Sequence, residues 1–369
     1  MKNIPLFRYP ADDELHAQIR DAVMQVVDSN WYVLGTQVSS FESEFAAATG
    51  VEHCISVANG TDALEIALRS VGVVAGDRVG LVANAGFYGS TAVHLIGAVP
   101  TYCDVSELSL NMAIDEASKV LATRPKAIVV THLYGRLAEI EQIVDLATRE
   151  GVPVIEDCAQ SHGATRAGRQ AGSFGAAGCF SFYPTKNLGA IGDGGAIVTN
   201  DGKLADRLRQ IRQYGWTSKY RNEVSGGRNS RLDEIQAAVL RVKLRYLGGH
   251  NEQRRQIARR YNSAFANLPL RCPLDFGEDS VAHLYVLRVA QRDAFRAFLG
   301  QRGIATDIHY PIADHLQVAY RSSQAAGALP VTEQVCETVV SLPCFPGLRE
   351  QEIDRVVNAV RQYFEEEVT

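Results

Sequence analysis

The chain is poor in the residues that metal, disulfide and nucleoside-triphosphate chemistry need. Its seven cysteines (54, 103, 158, 179, 272, 336 and 344) are odd in number, scattered and without a CxxC pair. That excludes a zinc ribbon or a disulfide framework and reads as reduced thiols in an intracellular protein. Nine histidines occur with no HExxH or other ligand spacing, and no GxxxxGKS/T loop is present. No metal is expected, and zinc-protease and P-loop readings are set aside. An excess of one charge is missing too: 37 Lys and Arg against 42 Asp and Glu give a formal charge of −5. Nothing there offers a general footprint for nucleic acid or an anionic membrane, so neither is expected as a partner. Nowhere do eighteen apolar residues run without a charge, and the start, MKNIPLFRYPADDEL, lacks the apolar stretch of a secretory signal. A soluble, cytoplasmic protein is expected.

What is present is a long chain, 369 residues and 46% hydrophobic, able to bury a full core and to build one large domain plus a smaller one. Short apolar runs recur: CISVAN, RVGLVAN, AVPTYCDV, KAIVVTHLYG, VPVIEDCAQ, GCFSFYPT and GAIVTND. They read as buried strands, several separated by helical segments such as 62–70 and 139–149, the alternation of an α/β domain with a largely parallel sheet. Helical patterns also cover 15–27 and 41–49, the latter stopped by Gly50. The large domain is expected over residues 1–248, N-terminal segment included. After the Gly248-Gly249 pair a helix is predicted over 251–266, then a strand in HLYVLRVA, a helix ended by Gly303 and a terminal amphipathic helix in EQEIDRVVNAVRQYFEEE. Residues 249–369 thus read as a smaller α+β domain. Ligands of parallel sheets sit beyond the carboxyl ends of strands, so the polar residues just after the apolar runs are the functional candidates.

Lys186 stands in FSFYPTKNLGAIGDGG, past one such run and among glycines that allow close backbone approach. A loop lysine is usually a solvated charge; held at a strand end in an environment that favours the neutral amine, it can form a Schiff base. Asp157 ends VPVIED, where it either caps a turn or pairs with a cation such as a protonated pyridine nitrogen; Glu156 should face the other way. In SVANGTDALEIAL, Gly60 and Thr61 open a helix whose first amides suit a phosphate monoester. The plainer reading is an ordinary N-cap at Thr61 or Asp62. Cys158 and Cys179 read as core filling.

Lysine, aspartate and phosphate cradle in one chain make a constellation that those separate plain readings leave unexplained. At this point the sequence resembles the pyridoxal-phosphate-dependent sugar aminotransferases of the DegT/DnrJ/EryC/StrS group, within the fold-type-I aspartate aminotransferase superfamily. The likeness runs through WYVLGTQVSSFESEFA, NGTDAL, EDCAQSHGA, SFYPTKNLGAIGDGGA, GRNSRLDEIQAA, HYPIADHLQVAY and SLPCFPGL. It implies a large domain with a mostly parallel mixed sheet and a smaller C-terminal domain, with pyridoxal 5′-phosphate as cofactor. By position, Lys186 matches the lysine that holds the cofactor covalently and Asp157 the carboxylate that keeps its pyridine nitrogen protonated. Gln160 matches a residue beside the phenolic oxygen, and Gly60, Thr61 and Ser181 match phosphate contacts. Asn229 matches an asparagine reaching the phosphate from the neighbouring subunit of a homodimer with shared active sites.

Phe87 falls where the family stacks an aromatic on the ring, although VANAGFYGST replaces the usual proline-led segment and Tyr88 is the alternative. Tyr183, Arg231, His309 and Tyr310 are implied near the nucleotide sugar, with a structural hydrogen bond as the other reading for His309; His315 and Tyr320 read as structural. The details most resemble enzymes that aminate C3 of dTDP-linked 3-keto-6-deoxyhexoses, with L-glutamate as donor. The alternatives are a C4 aminotransferase, which more often has glutamate where Asp193 stands, and a sugar dehydratase, which carries histidine where this chain has Lys186. A Rossmann dehydrogenase would need a GxGxxG after the first strand, and none is there.

Overall fold

Seven short runs rich in Val, Ile and Ala, buried on both faces, assemble into one sheet: β1 (His53–Val57), β2 (Arg78–Val82), β3 (Val99–Cys103), β4 (Ala127–Thr131), β5 (Val154–Asp157), β6 (Ala177–Ser181) and β7 (Gly195–Thr199). The structure is a computed structural model that describes residues 3–323 and 327–367. Across the sheet the order is β1-β7-β6-β5-β4-β2-β3. β7 runs antiparallel to both of its neighbours, and the other pairings are parallel. The carboxyl ends of β1, β4, β5 and β6 therefore share one rim.

Helices cover the sheet: α1 (Asp13–Ser29), α2 (Thr36–Thr49), α3 (Gly60–Ser70), α4 (Tyr88–Ile96), α5 (Ile114–Ala122), α6 (Ile140–Arg149), α7 (Gly202–Arg212) and α8 (Glu234–Leu244). One layer of core joins Phe41 and Phe45 of α2 to Phe180 and Phe182; the other packs Leu64, Ile66 and Leu68 of α3 with Val79, Ile155 and Ile197. Gly50 ends α2 with φ +74, the left-handed conformation that glycine adopts without strain. Cys158 and Cys179 are fully enclosed in this core.

A third cluster, Tyr261, Phe265, Tyr285, Phe295, Phe345 and Phe364, lies in the C-terminal part. It gathers α9 (Leu247–Phe265), the antiparallel pair β8 (Tyr285–Arg288) and β9 (Val339–Leu342), α10 (Arg292–Gln301) and α12 (Glu350–Glu367), with α11 (Pro330–Thr338) leading into β9. Two features differ from the sequence reading. Gly248 and Gly249 lie inside α9, which begins at Leu247, because a glycine costs a helix only about 1 kcal/mol and the rest of α9 is well anchored. The N-terminal segment, grouped with residues 1–248, instead crosses to the C-terminal cluster. Ile4 is buried there and exchanges backbone hydrogen bonds with Gly303 and Ala305 (2.8 and 2.9 Å), which gives its isolated apolar side chain a core. Among the described residues no helix is long and apolar enough to cross a membrane.

Candidate active site

At the rim of the sheet opens a cavity of about 1000 Å³, closed from the other side by residues of the C-terminal part such as His283, His309 and Leu342. Strand alternation decides what enters it. Asp157, last residue of β5, lines the cavity, whereas Glu156 points beneath the sheet and accepts the N–H groups of Gly172 (2.9 Å), Phe174 (2.7 Å) and Gly175 (2.7 Å). Among the described residues, His132, Glu156 and Cys158 cluster closely enough to suggest metal ligands. Their atoms are already engaged: His132 Nε2 lies 3.0 Å from Glu156, its Nδ1 accepts the Ala138 N–H (3.1 Å), and burial holds the Cys158 thiol far above its usual range. This group is a structural staple for the 172–175 loop.

Asp157 is almost wholly buried and accepts the Ala159 N–H (3.1 Å) and the Thr131 hydroxyl (3.4 Å). Burial pushes its pKa up, against the pull of the Ala159 N–H and of the Lys186 charge. Lys186 lies in the loop after β6, where its backbone N–H donates to Tyr183 (2.8 Å) and its side chain enters the cavity. Burial pushes its amine down to about 8, with Asp157 acting the other way. A carboxylate at the strand end and an amine near its working pKa thus share one enclosed space.

The phosphate end is built by close packing. α3 starts at Gly60, where a Cβ would meet Ser181 Cβ at 2.6 Å, and at Gly195 a Cβ would meet the Asn59 carbonyl oxygen at 2.4 Å. Glycine at both points lets the helix start sit directly on the ends of β6 and β7. The N-cap is Asn59, which accepts the Asp62 N–H at 2.8 Å, so neither Thr61 nor Asp62 caps the helix. The cap leaves the first-turn amides of Gly60 and Thr61, with Ser181 beside them, at the cavity wall. Phosphate-binding amides at one end, a carboxylate for a pyridine nitrogen and a lysine for the aldehyde fit pyridoxal phosphate.

Gln160 is fixed by the Tyr134 N–H, which it accepts at 2.5 Å, and donates to the Tyr310 hydroxyl at 3.1 Å. Burial raises the Tyr310 phenol. Tyr183 and His309 also line the cavity; the His309 ring pairs with Ser341 (2.8 Å) and burial lowers its pKa. Three expected residues stand elsewhere in this chain. Phe87, left-handed at φ +69 and held through its N–H by Asp314 (2.9 Å), stacks on Tyr320 and His94, and it is Tyr88 that lines the cavity. Arg231 packs against the Tyr214 ring, and Asn229 is exposed on a backbone bridge to Gln213. His315 is 3.0 Å from Glu333, in keeping with a structural role.

Arg254, His283 and Asp307 line the cavity and were not foreseen from sequence. They come from an arginine-rich helix, a strand entry and a loop whose local patterns look like any other. Arg254 Nη1 donates to the carbonyls of His283 (3.1 Å) and Cys344 (2.6 Å), and burial lowers its pKa to about 10.

The sheet order, the lysine and aspartate at its rim and the helix-borne phosphate cradle together define a pyridoxal-phosphate-dependent aminotransferase. The chain belongs to the DegT/DnrJ/EryC1/StrS aminotransferase family, whose model matches residues 13–361 and whose members depend on that cofactor. It is 41% identical over 96% of its length, and 94% of the relative's, to a dTDP-3-amino-3,4,6-trideoxy-alpha-D-glucose transaminase of Streptomyces venezuelae. Identity is 43% to a dTDP-3-amino-3,6-dideoxy-alpha-D-galactopyranose transaminase of Aneurinibacillus thermoaerophilus, over 94% of this chain and 95% of the relative. In structure it is similar to S. venezuelae DesV in complex with a ketimine intermediate, with a TM-score of 0.94 and 40% identity over 99% of both chains.

Proposed function

We propose that this enzyme transfers an amino group, with L-glutamate as donor, to C3 of a dTDP-linked 3-keto-6-deoxyhexose, giving a dTDP-3-amino-3,6-dideoxyhexose. Lys186 carries the reading: its amine shares the cavity with Asp157, and burial lowers its pKa to about 8. Relatives at 41% and 43% identity that are named for 3-amino sugars support the C3 position.

In this reading Gly60, Thr61 and Ser181 hold the cofactor's phosphate, Gln160 lies beside its phenolic oxygen and Asp157 faces its ring nitrogen. Bound there, pyridoxal phosphate supplies an electron sink for a carbanion at the amine-bearing carbon. Lys186 Nζ, when neutral, takes the proton from the donor's α-carbon; when protonated, it delivers one to the sugar's C3. A pKa of about 8 keeps both forms populated near neutral pH. Tyr183, His309 and Tyr310 face the substrate side; Arg231 and Asn229, outside this chain's own cavity, are assigned to a homodimer in which each subunit completes the other's site. We place the enzyme in the cytoplasm and the domain division near Gly248.

The deciding experiment is incubation of purified protein with pyridoxal phosphate, glutamate and a panel of nucleotide keto-sugars. The expected product carries its amine at C3 by NMR. An amine at C4, or an unsaturated deoxy sugar without nitrogen, would reject the assignment.

A further inference from the structure

Helix α3 carries two buried carboxylates close to where an anion is to bind. Asp62 lines the cavity beside Gly60 and Thr61, and Glu65 follows one turn later. A helix N-terminus attracts phosphate through its free amides and its dipole, and a carboxylate in the same turn opposes that attraction. Both acids are met by one guanidinium. Arg228 Nη2 lies 3.0 Å from Asp62 Oδ1, and Nη1 pairs with Glu65 Oε2. Glu65 has a second cation in Arg69 at 2.9 Å. The main chain of Arg228 is held independently of its side chain, donating to the Ile211 carbonyl (2.9 Å) and accepting from the Tyr214 N–H (3.0 Å).

We propose that Arg228 is a positioning residue for the cofactor's phosphate: by pairing with Asp62 it removes a negative charge from the wall of the phosphate cradle. The inference rests on the reading of this cavity as a pyridoxal-phosphate site and adds to it a residue that lies outside the cavity lining. Loss of Arg228 leaves Glu65 paired with Arg69 but leaves Asp62 uncompensated beside a dianion, and like charges at such short range in a partly enclosed site repel strongly.

The test uses the full-length protein freed of cofactor and titrated by absorbance with pyridoxal phosphate and, separately, with pyridoxal, which has no phosphate. Arg228→Gln should weaken pyridoxal phosphate binding about tenfold, the scale of one charge at a helix end, and leave pyridoxal binding unchanged. Adding Asp62→Asn to Arg228→Gln should restore the phosphate-dependent affinity. Unchanged affinity for pyridoxal phosphate in Arg228→Gln overturns the inference. So does equal weakening of both ligands, or absence of rescue, either of which marks general damage to the site. Wild-type protein that binds neither ligand would sink the cofactor reading itself, and the inference with it.

Discussion

Burial acts on Lys186 and Asp157 in opposite electrical senses and to the same end, pushing the amine down to about 8 and the carboxyl up, so that each is drawn toward its neutral form. For the lysine this has a measurable consequence. Its folded pKa lies below that of the unfolded chain, so between about pH 8 and the usual lysine value the unfolded state holds a proton that the folded state has released, and stability rises with pH across that window. Thermal melts of cofactor-free protein should show a rise from pH 8 to 10 that is smaller in Lys186→Met; parallel curves would mean that the amine is not buried as described. On catalysis, Lys186→Ala should lower turnover by more than about a thousandfold and abolish the borohydride-reducible adduct, since one amine serves as both covalent anchor and proton shuttle. Asp157→Asn should fold and retain cofactor yet slow turnover by about two orders of magnitude, because an amide does not hold the pyridine nitrogen protonated. Near-normal rates in a cofactor-loaded Asp157→Asn protein would remove that role.

At the scale of elements, the site depends on how closely α3 docks against β6. A methyl group at residue 60 would stand 2.6 Å from Ser181 Cβ, and neither partner is a flexible chain end, so the helix start must move away from the sheet rim. Gly60→Ala should cost about 1–3 kcal/mol of stability by overpacking and weaken cofactor binding at the same time. Denaturation and cofactor titration of one variant check both, and intact affinity would separate the cradle from this contact. The same region shows what could be read from sequence. The seven sheet strands are legible as apolar runs bounded by turn residues, and the opposite orientations of Glu156 and Asp157 follow from strand alternation. Asn59 as cap was not legible, because NGTD offers several residues able to cap and packing against Gly195 chooses among them. β9 starts directly after Thr338 at the end of α11, with no turn residue to mark its beginning, so its apolar run does not stand out as a strand. Tyr88 in place of Phe87 at the cavity turns on a left-handed backbone at Phe87 that Asp314, more than two hundred residues away, holds through its carboxylate. Such long-range contacts leave no local pattern, and the same applies to Arg254 and His283.

For the whole molecule, the placement of Asn229 bears on whether one chain makes a complete site. Asn229 is exposed, outside its own chain's cavity, on a segment tied by hydrogen bonds between Arg228 and Ile211 and between Ser230 and Arg212. Just before it, Trp216–Ser218 pairs antiparallel with Arg221–Asn222 and presents Tyr220 to the surface, and Trp31 and Tyr32 are exposed between α1 and α2. Exposed apolar side chains of this size, together with an asparagine that lies outside its own chain's cavity, suit an interface between two copies. In a two-fold dimer with shared sites, Lys186→Ala removes the amine from its own subunit's cavity, whereas Asn229→Asp places a carboxylate against the phosphate in the partner's cavity. Either variant alone should be nearly inactive. Mixed after reversible dissociation in equal amounts, they should form hybrids in which one site takes its lysine from the Asn229→Asp chain and its asparagine from the Lys186→Ala chain. Half of the dimers would be hybrids, each with one intact site in two, so activity should recover to about a quarter of wild type. Sedimentation of the wild-type protein should show the dimer directly. If the mixture stays inactive while hybrids demonstrably form, Asn229 serves its own chain or none, and the shared-site arrangement fails.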